Sequence, residues 1–279
     1  MKNILVTGSS GYIAKSFIER YTQNYNFQTF SLQKQRLQEL QLKNIDTVLH
    51  AAALVHQQRE YSYDNYYEIN VKYPLSLAKK AKESGVKHFI FLSSVAVYGD
   101  QYSYITLESE PRPVTPYGKS KLEAQNLLKE LEDDAFCVTI LQIPMVYGKG
   151  APGNIQRLIK LIKRLPILPF SGIENRRSML YIGNLCFILE SVIKERSSKT
   201  LLVADKETLS TTLLIELIAQ ALKKRRILIK VPFFESIIAK IKPSLHQKLF
   251  RSLEVESSYK GSLPYCATDA IRVMIEGEK

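Results

Sequence analysis

A tyrosine and a lysine stand four positions apart in the middle of the 279-residue chain, at Tyr117 and Lys121. Side chains at this spacing share one face of a helix. A phenol has an ordinary pKa of about 10, and a neighbouring ammonium favours the phenolate and so lowers that pKa. We therefore expect Tyr117 to exchange a proton with a substrate oxygen near neutral pH, while Ser94 hydrogen-bonds the same oxygen and fixes its position.

A glycine-rich segment near the start of the chain, residues 8–14, has the spacing of a phosphate cradle and follows a short apolar run. Gly8 allows a tight turn out of a strand, Gly11 lets the backbone approach a pyrophosphate, and Ala14 permits close packing of a helix. The helix start supplies free N–H groups. The alternative is an ordinary strand-turn-helix. The predicted cofactor contacts in this segment are Gly8, Ser10, Gly11, Tyr12 and Ile13.

The segment at the end of the second predicted strand, residues 30–36, contains no carboxylate. An acid at this place would bind the ribose 2′-hydroxyl of NAD(H), whereas Ser31, Lys34 and Arg36 can accommodate the 2′-phosphate of NADP(H). The pattern favours NADP(H), unless Lys34 and Arg36 merely begin an exposed helix. Together with the tyrosine and the lysine, the cradle indicates nicotinamide redox chemistry at a hydroxyl or carbonyl carbon.

The elements that must position these residues alternate between strand and helix in the first half of the chain. This alternation predicts βαβ units and a parallel sheet, and the near-continuous apolar strands indicate a sheet that is covered on both faces. We predict a Rossmann-type doubly wound α/β fold with helices on both faces. Gly85 is expected to follow the end of a long helix as its C′ residue. The predicted strands are 4–7, 27–32, 46–50, 87–92 and 136–141, and the predicted helices are 11–22, 64–84 and 116–132.

After residue 143 the pattern changes to a loop rich in proline and glycine, an amphipathic helix at 154–164 and then shorter elements. We predict an NAD(P)-binding domain at 1–143 and a smaller α/β substrate-binding lobe at 144–279. Segments of the lobe can interleave with the first domain. Ligands of such folds bind at the carboxyl ends of the parallel strands.

Composition narrows the class of protein further. The chain has 45% apolar residues and no apolar run long enough to span a membrane. It enters a strand at once, so no signal peptide is expected, and its three scattered cysteines favour reduced thiols in a cytoplasmic protein. No metal-ligand spacing and no nucleic-acid motif is visible. The net charge is +12; we expect mostly solvated basic faces, with a share that guides a phosphorylated substrate or touches a membrane surface peripherally.

These motifs resemble the extended short-chain dehydrogenase/reductase superfamily, in its nucleotide-sugar epimerase, dehydratase and reductase branch. Segments 46–53, 93–99, 117–121, 144–148 and 176–182 carry the resemblance beside the cradle. It implies a catalytic group of Ser94, Tyr117 and Lys121, a UDP-linked sugar as substrate, and a homodimer formed through helices 64–84 and 116–132. It also implies cofactor contacts at Ala51, Ala52, Ala53, Asn70, Ser93, Tyr117, Lys121 and Pro144, and substrate contacts at Ser94, Val95, Tyr117, Asn154 and Arg177.

The resemblance also narrows the reaction. In the 4,6-dehydratases of this branch an Asp-Glu pair follows the catalytic hydroxyl residue, whereas Val95 and Ala96 follow Ser94 here. Dehydration is therefore not expected. The missing NAD-selecting acid, the short chain and the segments around residues 51–56 and 152–178 favour a reductase of UDP-4-keto-6-deoxy-N-acetylhexosamines in polysaccharide synthesis. A UDP-sugar 4-epimerase is the alternative. A non-catalytic dinucleotide sensor is a remote one, because such proteins lose the Tyr or the Lys.

Several further residues are candidates for the substrate pocket. Four tyrosines and one histidine lie in segment 56–67, where most of the tyrosines are expected to be surface or packing residues. Gln142 stands where many relatives carry arginine, and Lys260 is a weak candidate for a second phosphate contact beside Arg176 and Arg177. The pocket candidates are His56, Tyr61, Tyr63, Tyr66 and Tyr67.

Overall fold

The computed structural model describes residues 1–31, 35–55 and 62–277, which divide into two compact units. Unit 1 comprises Met1–Gln101, Leu107–Pro144 and Cys186–Val203, and unit 2 comprises Tyr102–Thr106, Met145–Leu185 and the chain from Ala204 onwards. The chain leaves unit 1 after Pro144 and returns to it at Cys186. Each unit is thus built from segments that are distant in the sequence.

The secondary structure contains the following elements in the described residues. The strands are β1 (Asn3–Thr7), β2 (Asn26–Phe30), β3 (Thr47–His50), β4 (His88–Ser94), β5 (Tyr104–Ile105), β6 (Cys137–Ile143), β7 (Met145–Tyr147), β8 (Ile167–Leu168), β9 (Met179–Tyr181), β10 (Lys199–Leu202), β11 (Ile227–Leu228) and β12 (Glu254–Val255). The α-helices are α1 (Tyr12–Tyr21), α2 (Tyr63–Tyr67), α3 (Tyr73–Glu83), α4 (Pro116–Lys129), α5 (Asn154–Arg164), α6 (Ile182–Glu195), α7 (Thr211–Ala221), α8 (Phe234–Ile241), α9 (Pro243–Phe250) and α10 (Ala267–Glu276).

Unit 1 is organised around a six-stranded sheet with the order β10-β6-β4-β3-β1-β2, in which every pairing is parallel. Its inner strands are mostly apolar and almost entirely buried, as Leu5, Val48 and Ile90 illustrate, because helices cover both faces of such a sheet. The predicted α/β Rossmann-type fold is confirmed. The sixth strand, β10, is not among the predicted strands; residues 199–202 fall in the range predicted for the second lobe, segments of which were expected to be able to interleave with the first domain.

The long helix predicted at 64–84 is interrupted. Between α2 and α3 the residues Glu68–Lys72 form a π-helical turn, which adds a residue to the turn and frequently marks a functional site. The predicted end of the helix is correct. Gly85 has a φ of +80°, and the N–H of Val86 donates to the carbonyl of Ala81 at 3.0 Å, which is the pattern of a helix closed by a C′ glycine.

Unit 2 contains three short parallel strand pairs, β5–β12, β7–β9 and β8–β11. Its helix α5 has the predicted bounds and buries Ile155, Ile159 and Ile162. A buried carboxylate supports the interior, since Asp205 accepts from the N–H of Tyr181 at 2.9 Å and from the amide of Asn184 at 2.8 Å. These contacts hold β9 and the start of α6 together.

Candidate active site

Helix α4 places the predicted tyrosine and lysine beside the end of β4. Thr115 caps the helix by accepting from the N–H of Gly118 at 3.0 Å, and Pro116 begins its first turn. A Cβ at Gly118 would overlap the carbonyl of Ala96, so a larger residue would push the helix away from the turn that follows Ser94. The absence of a side chain at Gly118 therefore allows Tyr117 and Ser94 to lie close together.

Lys121 is a buried ammonium on the inner side of α4. It is 2% exposed, donates to the carbonyl of Leu92 at 2.7 Å and lies 4.3 Å from the centre of the Phe91 ring. Burial lowers its pKa to about 7. No carboxylate pairs with it among the described residues, and Leu92 is the hydrogen-bond acceptor that the described chain offers it. A cation held in this way has N–H groups left for a ligand.

Tyr117 lies beside Ser94, as the sequence predicted, but the expected pKa shift is wrong. Burial raises the pKa of Tyr117 to about 12, and a hydrogen bond from Ser94 opposes this only in part. Burial has the largest effect on this pKa because it penalises the charged phenolate. The oxidised nicotinamide ring, a cation, would act in the opposite direction.

Asn70 lies in the π-helical turn and joins the loop after β3 to helix α4. Its amide oxygen accepts from the N–H of Leu54 at 2.8 Å, and its amide nitrogen donates to the Leu54 carbonyl at 3.0 Å and to Ser120 at 3.1 Å. Ser120 in turn donates to the carbonyl of Tyr117 at 2.8 Å. Both ends of the Asn70 amide are engaged with the protein, so this residue holds the first turn of α4, which bears Tyr117, in place.

The glycine-rich segment has the geometry of a phosphate cradle. Gly8 has a φ of +69°, and a Cβ there would lie 2.7 Å from the backbone of Ala52, so a side chain would force the loops after β1 and β3 apart. Helix α1 begins at Tyr12 without a side-chain cap, which leaves its first N–H groups free for an anion. Ala14 is buried against the sheet. These features fit the pyrophosphate of a dinucleotide.

Two residues of the site were missed by the sequence interpretation, Ser120 and His50. His50 Nδ1 lies 2.9 Å from Thr7 Oγ1, which ties the ends of β1 and β3 together. Burial, and then the charge of Lys121, lower the pKa of His50 to about 3, so it is a neutral structural partner. The position of Ser120, three residues after Tyr117 on the same helix, was the signal that could have revealed its role.

The remaining cofactor candidates differ in their exposure and in whether their side chains are already hydrogen-bonded. Ser31 is half-buried just after β2 and Arg36 is exposed. The Ser93 hydroxyl donates to Gln125 at 2.9 Å and is thus committed to α4. The residues of the β3 and β6 loops follow their strands directly, as expected for a ligand edge; they are Ala51, Ala52 and Ala53 after β3 and Pro144 after β6.

The substrate candidates are divided between the two units. Val95 lies in unit 1, directly after Ser94, whereas Asn154 and Arg177 belong to unit 2. Arg177 donates to the carbonyls of Gln247 and Arg251 at 3.0 Å each. Arg176 pairs with Glu254 at 2.7 Å. Substrate binding by these arginines, by Asn154 and by the exposed Lys260 stays a prediction.

The segment 56–67 is described in part. Tyr66 is buried, and its ring lies edge-on to Tyr117 with 6.5 Å between ring centres. Tyr63 donates to Glu123 of α4 at 2.5 Å, and the Tyr67 ring is tilted against the Tyr63 ring with 6.2 Å between ring centres. The candidates His56, Tyr61 and Lys34 lie outside the described residues.

A family model for the NAD dependent epimerase/dehydratase family matches residues 4–204, which include the cradle, the predicted catalytic residues and, apart from Asn3, all six strands of the unit 1 sheet. The chain belongs to this family. Its members use NAD or NADP, and the cradle at Gly8 and the free start of α1 fit that cofactor. When bound, the cofactor supplies a hydride acceptor and donor.

Among its relatives, a UDP-glucose 4-epimerase from Vibrio cholerae is 29% identical over 92% of this chain and 88% of that protein. An N-acetyl-α-D-glucosaminyl-diphospho-ditrans,octacis-undecaprenol 4-epimerase from Escherichia coli O157:H7 is 27% identical over 80% of this chain and 73% of that protein. A solved structure, the UDP-glucuronic acid 4-epimerase from Bacillus cereus in complex with NAD, has a TM-score of 0.76 at 18% identity and covers 99% of this chain and 98% of its own. The structural match shows the shared fold.

Proposed function

We propose that the protein is a 4-epimerase of UDP-linked hexoses or N-acetylhexosamines. The observation that carries this proposal is the likeness to a UDP-glucose 4-epimerase along 92% of the chain, together with the intact Ser94, Tyr117 and Lys121 group. The apolar Val95 and Ala96 after Ser94 leave no carboxylate there for a dehydration. The support for the 4-epimerase is thus stronger than for the 4-ketoreductase that the sequence interpretation preferred.

In this proposal the residues of unit 1 act on the C4 oxygen of the sugar. Tyr117 takes the proton from that oxygen when C4 is oxidised and returns it when C4 is reduced. Ser94 orients the same oxygen by a hydrogen bond. Lys121, whose ammonium has spare donors, holds the nicotinamide ribose and favours the Tyr117 phenolate once a cationic ring is bound. Asn70 holds the helix turn that bears Tyr117 against the loop after β3, through its hydrogen bond to Ser120.

A second candidate is the NAD(P)H-dependent reduction of a UDP-4-keto-6-deoxy-N-acetylhexosamine. It is favoured by the absence of a carboxylate in residues 30–36, because a selective NAD site would carry one. A reductase consumes its cofactor, whereas an epimerase returns the hydride to the same sugar. Cofactor stoichiometry therefore separates the two reactions.

The test begins with purified protein and UDP-galactose or UDP-N-acetylgalactosamine, with the sugar products followed by NMR and no added reductant. The lipid-linked substrate in the name of the E. coli relative is assayed in parallel. Interconversion of the C4 epimers without net cofactor consumption supports the proposal. Stoichiometric oxidation of NADPH or NADH by a UDP-4-keto sugar, with no epimerisation, would replace it with the reductase.

The matched control is Tyr117→Phe, which removes the hydroxyl and keeps the ring that packs against Tyr66. We expect turnover to fall by about 10³-fold, since positioned general acid–base catalysis contributes about 10²–10⁴, while NAD(P) binding is retained. Undiminished turnover in this variant would show that Tyr117 does not carry the proton. Loss of cofactor binding would show that its role is structural.

A further inference from the structure

The positive charge of the chain is concentrated in two segments of unit 2. Residues 154–168 and 223–242 contain eleven of the 39 basic residues and one of the 27 acidic residues, a net charge of +10 within the overall +12. The rest of the chain holds 28 basic and 26 acidic residues and is nearly neutral. The basic residues of the two segments are Arg157, Lys160, Lys163, Arg164, Lys223, Lys224, Arg225, Arg226, Lys230, Lys240 and Lys242.

The fold brings these two segments together. Strands β8 and β11 pair in parallel, with Ile167 opposite Ile227. Arg226 donates to the carbonyl of Ile162 at 2.6 Å, so the basic run before β11 lies against the end of α5. Two basic stretches that are far apart in the sequence therefore form one continuous surface.

Exposed apolar side chains follow the same surface, and we call them the apolar strip. They alternate along the extended chain at 227, 229 and 231, as on one face of a strand, and then recur every fourth residue along α8, as on one face of a helix. Phe233 is 79% exposed, Ile241 70% and Ile227 61%. The strip consists of Ile167, Ile227, Ile229, Val231, Phe233, Ile237 and Ile241.

The fold of α8 does not need this strip. The helix is anchored from its other side by Phe234, whose ring packs on Phe170 at 5.8 Å and on Phe250 at 6.0 Å between ring centres. Phe233 has a φ of +58°, a left-handed conformation that is strained for a bulky residue. The one carboxylate of the segment, Glu235, lies 3.0 Å from His246. The outward apolar residues are thus not needed for the packing of the helix, and the exposed lysines Lys230, Lys240 and Lys242 lie next to them in the sequence.

We propose that the apolar strip docks unit 2 onto an anionic lipid membrane. Exposed Phe and Ile side chains flanked by lysines are the pattern of a helix that lies in the membrane interface, with the apolar residues inserted and the cations beside lipid phosphates. A second copy of the chain fits this surface poorly, because two faces of net charge +10 repel each other. Nucleic acid would use the cations but would leave most of the aliphatic side chains in water.

The docking is peripheral, since no helix within the described chain is long and apolar enough to cross a bilayer. It would bring the enzyme to the surface where lipid-linked sugars reside, although it does not depend on which sugar the active site takes. Docking and catalysis can therefore fail separately in experiment.

The test is cosedimentation of the full-length protein with vesicles of phosphatidylcholine alone or with phosphatidylglycerol at about three parts in ten. We expect at least tenfold tighter binding to the anionic vesicles, weakened by raising NaCl from about 0.1 to about 0.5 M, since attraction between exposed charges is screened. F233S/I237S/I241S and K230Q/K240Q/K242Q should each weaken this binding at least tenfold. The matched controls are L213S, which changes an exposed leucine of α7, and K79Q, which removes an exposed lysine of α3.

Each outcome decides the proposal. Undiminished vesicle binding by the strip variants, or equal binding to neutral vesicles, would overturn it. So would sedimentation velocity data showing that F233S/I237S/I241S dissociates an oligomer, because the strip would then be a subunit interface. Turnover of a water-soluble UDP-sugar should be unchanged in these variants, which shows that they fold and that a loss of vesicle binding is specific to docking.

Discussion

Replacing Lys121 with methionine should stabilise the cofactor-free protein while abolishing its turnover. Burial lowers the pKa of Lys121 from 10.5 to about 7, and each unit of pKa shift corresponds to about 1.4 kcal/mol. At pH 7 the buried ammonium therefore costs about 4 kcal/mol. Methionine has a similar length and no charge. The carbonyl of Leu92 loses a donor, which costs about 1–3 kcal/mol, so we expect a net gain of about 2 kcal/mol.

The pH dependence gives this prediction a distinctive sign. Between pH 7 and pH 10.5 the unfolded chain holds the Lys121 proton and the native protein does not, so the stability of the wild type rises with pH in this window. The penalty falls from about 4 kcal/mol at pH 7 to about 2 kcal/mol at pH 9. The difference in unfolding free energy between Lys121→Met and wild type should therefore shrink by about 2 kcal/mol over the same interval.

Urea unfolding at pH 7, 8 and 9 measures this difference, with bound nucleotide first removed, because a ligand that binds the native state adds stability of its own. Lys79→Met is the control, since Lys79 is exposed and should show neither the gain nor the pH trend. A Lys121→Met protein that is less stable than wild type, or a difference that does not vary with pH, would refute the reasoning about burial.

Three further predictions concern other parts of the structure. Gly8→Ala should destabilise the protein by several kcal/mol and weaken NAD(P) binding, because its Cβ would meet the Ala52 backbone. Gly85→Ala is the control and should cost about 1 kcal/mol, since there is open space around Gly85. Thermal unfolding measures the stability of the two variants, and cofactor titration measures their NAD(P) binding. Asn70→Ala should cost about 3 kcal/mol by leaving buried partners unpaired and should lower kcat, with equal stability to wild type as the contradicting result. Burial raises the pKa of Asp205 from 3.8 to about 6, so the native state binds this proton more tightly than the unfolded chain does. The free energy of unfolding should therefore fall as pH rises from about 4 to about 6. Asp205→Asn should not show this fall in urea unfolding, and a fall of the same size in the variant would show that Asp205 is not its source.

The parts of the fold that local patterns encode were predictable. Apolar runs and, for β2, an alternating pattern located five strands of the unit 1 sheet, and Gly85 marked the end of its helix. The π-helical turn at Glu68–Lys72 was not predictable, because one extra residue in a turn barely changes the apolar spacing, and the partner of Asn70 in this turn, Ser120, is distant in the sequence. Strand β10 was missed because so short a segment becomes a strand only by pairing with β6, which lies far back along the chain.

The candidate site followed the same rule. Residue types and spacing predicted Ser94, Tyr117 and Lys121 as the catalytic residues, and the structure places the three in one unit; their catalytic role stays a prediction. Spacing could not give the direction of the Tyr117 pKa shift, because burial in the tertiary structure makes the largest contribution to it. The joined basic surface of unit 2 was likewise invisible, since the pairing of β8 with β11 creates it.

Strand β10 is synthesised about 60 residues after β6, the strand with which it pairs, and this order has a consequence for folding during biosynthesis. Before residue 202 leaves the ribosome, the nascent chain exposes one long edge of β6, whose sequence Cys-Val-Thr-Ile-Leu-Gln-Ile carries no charge and no proline. An uncovered strand of this kind recruits other chains into β-pairing. A version shortened at the end of the glycine-rich loop near residue 153 should therefore aggregate or remain bound to chaperones, although it contains the whole nucleotide cradle and the catalytic group. We therefore expect that the nucleotide-binding half of this protein does not fold stably without the later segment that contains β10.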